Sequence, residues 1–282
     1  MDEIFKIVLD RNKKRKVLSK NDIKRICEII IGSNKFIYNP KICFEKTTPY
    51  EDGSYAVATL DAVTFYLESL SEAQQSKYEN ITNNDVLDGT KVDYYNYIIL
   101  DTIFHEFAHI AQFDSIEKGR NSIDTKLFSI CKKLQSIKEF YDENYSTFIS
   151  EINAYFKGLI NSYLVYEKMP SDIITDNDKR IYASNATDIL LSEYYVDSNS
   201  DNVKSPSEIL LSSAEDYNLS KFDIDADQFR RLVFEPKDMT LYKKLSLGLP
   251  LTFQEAAYVH LLATCVSNGQ KVNFVKKLQR KL

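Results

Sequence analysis

Two histidines set four positions apart inside an apolar run constrain the fold of this chain more than any other feature. The run extends from Tyr97 to Ala111 and reads Y-I-I-L-D-T-I-F-H-E-F-A-H-I-A; His105 and His109 are two of only three histidines in 282 residues. Apolar residues on almost every side predict a buried helix rather than an amphipathic one. Residues four apart project from the same face of a helix, so both imidazoles can reach one ion.

Glu106 adds a carboxylate beside this histidine pair, about a quarter-turn round the helix from His105. Two imidazole nitrogens suit zinc, and a neighbouring carboxylate can accept a proton from water that the metal activates. Unpaired, such groups would each cost on the order of several kcal/mol inside an apolar helix. One ion that gathers all three therefore explains the pattern better than the alternative, two core histidines with hydrogen-bonded rings.

This segment resembles the active-site helix of the zincin metallopeptidases, which carry the H-E-x-x-H motif in an apolar helix. The positions that fit the longer zincin pattern are Thr102, Phe107, Ala108, Ile110 and Ala111. The resemblance is confined to short segments and supports the superfamily better than any family within it. It implies a zinc ion (Zn²⁺) as cofactor, Glu106 as general base, and a peptide or protein as substrate.

A third metal ligand is expected downstream, because a catalytic zinc site combines three protein ligands with one open position. Glu151 is the candidate, since it is the carboxylate in the apolar segment F-I-S-E-I-N-A-Y-F. Glutamate-type zincins, the gluzincins, carry their third ligand on a later helix, often within E-x-x-A, and Glu151–Ala154 is similar. Ser115 stands where a metzincin would have its third histidine, which argues against that group.

Alternatives to Glu151 remain open at this stage. An ordinary structural carboxylate would look the same in sequence, and other acidic side chains could serve as third ligand: Asp114, Glu117, Glu143 and Glu193. The residue that orients the histidines is also undetermined. Tyr155 occupies the position four places after Glu151, where a thermolysin-like site has an aspartate.

His260 is the third histidine, and it lies in the apolar segment A-Y-V-H-L-L. A lone histidine in such a helix is usually a core residue with a hydrogen-bonded ring. The resemblance to zincins offers a catalytic alternative, in which His260 stabilises the oxyanion of a tetrahedral intermediate. Tyr155, one turn beyond Glu151, is a competing candidate for that role.

The remaining pattern predicts a mainly helical α+β fold: a zincin-like catalytic core, with a small antiparallel sheet before the H-E-x-x-H helix and a helical C-terminal region after it. We expect N-terminal helices in 1–40, the catalytic core in 41–169 and the helical region in 170–282, packed together as one compact unit. The predicted strands are 42–47, 55–60 and 63–68; the last is either a substrate-pairing edge strand or an interior strand. The predicted helices include 2–10, 20–31, 93–113, 122–141 and 145–169, and 71–92 is expected to be a partly helical surface connection. Ser19 with Asp22, and Thr252 with Glu255, predict capping boxes at the starts of two helices.

Composition narrows the class of protein. A net charge of −5 gives no reason to expect nucleic acid or an anionic membrane as a partner. No apolar stretch reaches the roughly 18 residues that a membrane span needs, and the N-terminal residues do not resemble a secretory signal. Four cysteines without C-x-x-C spacing suggest reduced, mostly buried thiols, so we expect a cytoplasmic protein.

These observations predict a zinc-dependent metallopeptidase. The alternative is a catalytically silent protein that zinc stabilises, with a binding or regulatory role, including one in a mobile element. The intact Glu106 favours the enzyme, because a structural zinc site does not need a general base.

Overall fold

The structure is a computed structural model that describes residues 1–49, 54–70, 91–182, 204–235, 239–268, 270 and 273–279. Helices dominate these ranges, and three strands form one small sheet. The strands are β1 (Lys41–Glu45), β2 (Ala56–Ala58) and β3 (Ala62–Tyr66). The helices are α1 (Asp2–Lys13), α2 (Lys20–Ser33), α3 (Lys91–Glu117), α4 (Ile123–Gln135), α5 (Lys138–Asn144), α6 (Ile149–Tyr166), α7 (Pro206–Glu215), α8 (Ala226–Phe234), α9 (Leu241–Ser246), α10 (Phe253–Ser267) and α11 (Phe274–Leu278). Single 3₁₀ turns cover Tyr145–Thr147 and Leu219–Phe222.

The sheet is mixed, so the predicted antiparallel sheet is wrong. Its strand order is β1-β3-β2, with β1 parallel and β2 antiparallel to β3. Strand β3 pairs on both sides, so of the two alternatives for 63–68 the interior strand is confirmed and the edge strand is wrong. Its Val63 and Phe65 are fully buried, as suits an interior strand. Residue alternation shows which faces are buried but carries no information about the direction of a neighbouring strand.

The chain packs as two compact units, and the first contains 1–114 and 158–179. Its helix α2 begins with the capping box predicted from sequence. The Ser19 hydroxyl accepts from the backbone N–H of Asp22, while the Asp22 carboxylate accepts from the Ser19 N–H at 2.7 Å. The apolar face of α2 is buried through Ile23, Ile26 and Ile30. Local capping chemistry and a 3.6-residue period were thus sufficient to locate this helix.

Buried polar contacts anchor the start of α3 within the first unit. Arg15 donates to the Asp93 carboxylate at 2.8 Å, and the Tyr166 hydroxyl donates to the Asp93 carbonyl at 2.7 Å. Burial raises the pKa of Asp93 to about 6; the charge of Asp178 acts in the same direction, and Arg15 opposes both. The Tyr97 and Tyr166 rings meet edge to face, with centroids 5.2 Å apart. These contacts fix α3 against the C-terminal end of α6.

The second unit contains 115–157 and 180–282 and has its own apolar core. The fully buried core side chains include Leu127, Leu134, Phe140, Phe148, Phe229 and Leu247. The single helix predicted over 122–141 is interrupted after Gln135, because Ile137 adopts an extended conformation before α5 begins at Lys138. Helix α10 begins with the predicted capping box of Thr252 and Glu255. The Glu255 carboxylate also accepts a hydrogen bond from the Lys244 ammonium at 2.9 Å.

These packing units follow different boundaries from the three sequence segments 1–40, 41–169 and 170–282, whose division stays a prediction. Of the connection predicted over 71–92, residues 71–90 lie outside the described residues, and the last two belong to α3. In the part of the chain that the structure describes, no helix is long and apolar enough to cross a membrane. All four cysteines are free thiols, with Cys27 and Cys131 buried and the other two partly exposed.

Candidate metal centre

His105 and His109 lie on the same face of α3, and both are half-buried. Their Nε2 atoms are 3.2 Å apart, and the ring planes cross at 74°. Two nitrogens that each ligate zinc at about 2.0–2.1 Å in a tetrahedral site are separated by about 3.3 Å. The spacing that the helix imposes on these two imidazoles therefore already matches one edge of a zinc tetrahedron.

Glu151 completes a group of three potential ligands. It lies in the first turn of α6 and is buried. One of its carboxylate oxygens and one ring nitrogen from each histidine all lie within 4.8 Å of one another. Two neutral nitrogens and one carboxylate form a donor set that suits zinc. The residues present therefore fit a metal ion.

Glu106 follows His105 directly and is buried on the same helix. Its α3 neighbours Ile103, Phe107 and Ile110 are also buried. Phe107 stacks on Phe36, with ring centroids 6.4 Å apart. A buried carboxylate next in the chain to a candidate ligand is of the residue type that transfers protons to or from a nearby water.

Gln112 is a buried polar neighbour of His109 on α3. The His109 Nδ1 and the Gln112 Oε1 are 3.1 Å apart, and Gln112 is almost completely buried. The two residues are three apart on α3, so they are neighbours on its surface. Sequence reasoning missed Gln112 because it searched for an acidic partner four places after Glu151. The spacing from His109 was the signal that could have identified it.

Tyr145 is a hydrogen-bond partner of Glu151. Its hydroxyl donates to Oε2 of the Glu151 carboxylate at 3.0 Å. Burial raises the pKa of Tyr145 well above its ordinary value, and the nearby Glu151 and Tyr155 raise it further. The hydroxyl therefore stays protonated, and a donor, at any physiological pH. Sequence reasoning missed this residue too, because it lies in the 3₁₀ turn before α6 and has no motif of its own.

The start of α6 is also held by Cys131 of helix α4. The backbone amides of Ile149 and Ser150 interact with the buried Cys131 thiol. Burial raises the pKa of this thiol to about 12, so the sulfur is uncharged when it accepts hydrogen bonds from these amides. The sulfur therefore satisfies backbone donors at the end of α6 that carries Glu151.

The two candidate residues for oxyanion stabilisation differ in their placement. Tyr155 is 43 % exposed on α6, and its charge is one of the causes that raise the pKa of Tyr145. His260 is exposed on α10, so the expectation of a core histidine is wrong. The neighbouring Ala257 and Leu261 are exposed as well, which shows that this apolar segment turns one face outward. The catalytic roles suggested for Tyr155 and His260 stay predictions.

The acidic alternatives to Glu151 are engaged elsewhere or exposed. Asp114 accepts from the backbone N–H of Ile37 at 2.6 Å, and Glu117 lies 3.5 Å from the Lys132 ammonium. Glu143 is exposed at the end of α5. Glu193 lies outside the described residues. Among the carboxylates that the structure describes, Glu151 is the one grouped with His105 and His109.

No protein-family model, no curated protein and no solved structure matches the chain. A functional interpretation therefore depends on the residues and geometry described above.

Proposed function

We propose that this protein is a zinc-dependent metallopeptidase. The observation that carries the proposal is the grouping of His105, His109 and Glu151, with Glu106 buried next in the chain to the first ligand. The two histidines and Glu151 would hold the ion. When bound, zinc supplies Lewis acidity and lowers the pKa of water at its open position toward neutrality.

Glu106 is the residue that moves protons in this proposal. As general base it accepts a proton from the attacking water, and as general acid it delivers that proton to the nitrogen of the departing amine. Glu106 is buried and follows the first candidate ligand directly on α3, which supports this role. A protein that binds zinc only for stability has no use for this carboxylate, so Glu106 favours hydrolysis over a silent zinc site.

The test compares Glu106→Gln with the parent chain, each carrying one equivalent of zinc. Hydrolysis of a mixture of internally quenched peptides should fall by roughly 10²–10⁴-fold in the variant, the usual contribution of general acid–base catalysis. Zinc content should be unchanged, because Glu106 is not a ligand. A chelator should abolish hydrolysis by the parent chain, and added zinc should restore it.

A matched control is Glu28→Gln. Glu28 is an exposed glutamate on α2, 4.0 Å from the Lys24 ammonium, so its replacement should leave hydrolysis unchanged. Equal hydrolysis by the Glu106 variant and the parent would exclude the proposed mechanism. A parent chain that holds zinc but cleaves no peptide would overturn the proposal and support the zinc-stabilised binding protein.

A further inference from the structure

We infer that Gln112 is a positioning residue that fixes the tautomer and the orientation of the His109 ring. The inference deepens the proposed function and rests on the metal site proposed there. Its physical basis is the contact between Gln112 Oε1 and His109 Nδ1 at 3.1 Å. Gln112 lies one helical turn beyond His109, on the side of the ring away from His105 Nε2.

The amide of Gln112 presents its oxygen to the ring, and this orientation decides where the proton lies. An amide oxygen can only accept a hydrogen bond, so in this arrangement the Nδ1 of His109 carries the hydrogen. In the neutral imidazole the Nε2 atom then bears the lone pair. This is the atom that lies 3.2 Å from Nε2 of His105, on the ligand side of the ring. Gln112 therefore selects the tautomer that a metal requires and points its lone pair toward the ligand group.

The surroundings of Gln112 favour its hydrogen bond with His109 over one with water. Gln112 is 3 % exposed, so bulk water does not compete freely for its amide oxygen. The His109 ring also stacks beside Phe113, with centroids 6.5 Å apart and an interplanar angle of 27°. One neighbour fixes the plane of the ring and the other fixes its proton. Metal-ligating histidines commonly need such an outer partner, and its loss typically costs about 10–100-fold in metal affinity.

A neutral amide also differs from the carboxylate that often fills this role. A carboxylate raises the basicity of the histidine it contacts, which strengthens the bond to the metal. The side chain at position 112 thus has two separable properties that affect His109. An acceptor oxygen is needed to hold the tautomer, and the absence of charge limits how strongly His109 donates to the metal. Gln112→Ala removes the acceptor oxygen, whereas Gln112→Glu keeps it and adds the charge.

The first measurement is the nitrogen chemical shift of the His109 ring in the metal-free protein, at a pH where the ring is neutral. Only three histidines contribute to such a spectrum, so assignment is direct. The parent and Gln112→Glu should show hydrogen on Nδ1, whereas Gln112→Ala should show a mixture with hydrogen on Nε2. Hydrogen on Nε2 in the parent would overturn the inference. This result does not depend on whether the protein hydrolyses peptides.

The second measurement is the affinity for Zn²⁺, by competition with a chromophoric chelator. Gln112→Ala should bind zinc roughly 10–100-fold more weakly, and Gln112→Glu at least as tightly as the parent. Asn153→Ala is the matched control, because it removes a buried amide whose Nδ2 donates to the Ser246 carbonyl at 2.9 Å on the other ligand-bearing helix. Equal loss in the Ala and Glu variants of Gln112, or equal loss in the Asn153 control, would show only a packing role.

Discussion

The histidines of α3 and the histidine of α10 lie in similarly apolar sequences but in different surroundings. His105 and His109 are half-buried and face each other at Nε2, with Gln112 and Glu151 close by. His260 is exposed on the outer face of α10, where its backbone carbonyl accepts from the Thr264 hydroxyl. Flanking apolar residues therefore do not determine where a histidine side chain lies. What distinguishes the two regions is that His109 has Gln112 one turn away on α3 and that Glu151 of α6 lies beside the histidine pair.

The most severe way to test this contrast is to remove one histidine from each region. His109→Ala should weaken zinc binding by more than the roughly 10–100-fold expected for loss of an outer hydrogen-bonding partner. His260→Ala should leave zinc affinity unchanged, because its side chain is not grouped with the ligands. Chelator competition on the folded variants measures both. Comparable losses from the two substitutions would place His260 at the metal and break the comparison.

A smaller effect should follow from disturbing the packing that holds α3 in place. Gly158 of α6 lies against Asp101, one helical turn before His105. A Cβ added at Gly158 would approach the Asp101 carboxylate and lie 2.9 Å from its backbone oxygen. The carboxylate can rotate away, but the backbone oxygen cannot. Gly158→Ala should therefore lower the free energy of unfolding by about 1–3 kcal/mol, measured by urea denaturation.

Gly32→Ala is the control for this change. Gly32 lies near the end of α2, and nothing is within 4 Å of an added Cβ there. Alanine is the better helix former by roughly 1 kcal/mol, so this variant should be as stable as the parent or slightly more so. Destabilisation of both variants by the same amount would show that steric conflict with Asp101 is not the cause. The close approach of α6 to α3 would then not be what stabilises this region.

Sequence reasoning identified features that depend on local spacing. The histidine pair, the neighbouring carboxylate and the capping boxes at Ser19 and Thr252 all follow from residues within one or two helical turns of each other. Glu151, selected because a lone carboxylate in an apolar helix needs a partner, does lie in one group with His105 and His109; its role as a ligand stays a prediction. These inferences required no knowledge of how distant segments pack.

The errors concern relations between segments that are not set by local spacing. The direction of β1 relative to β3 depends on the path of the intervening chain, so the antiparallel sheet could not be distinguished from the mixed one. Tyr145 reaches Glu151 only because a 3₁₀ turn precedes α6. The exposure of His260 depends on which face of α10 packs inward. Gln112 is different, since its spacing from His109 was visible in the sequence but its relevance was not.

The most direct test of the central claim is a zinc-bound crystal structure that shows the ligands of the ion. We expect Nε2 of His105 and His109 at about 2.0–2.1 Å and a carboxylate oxygen of Glu151 at about 2.0–2.2 Å. Glu106 should lie beside the ion without ligating it. An ion bound elsewhere, or one held by the two histidines with another side chain in place of Glu151, would contradict this account of the site.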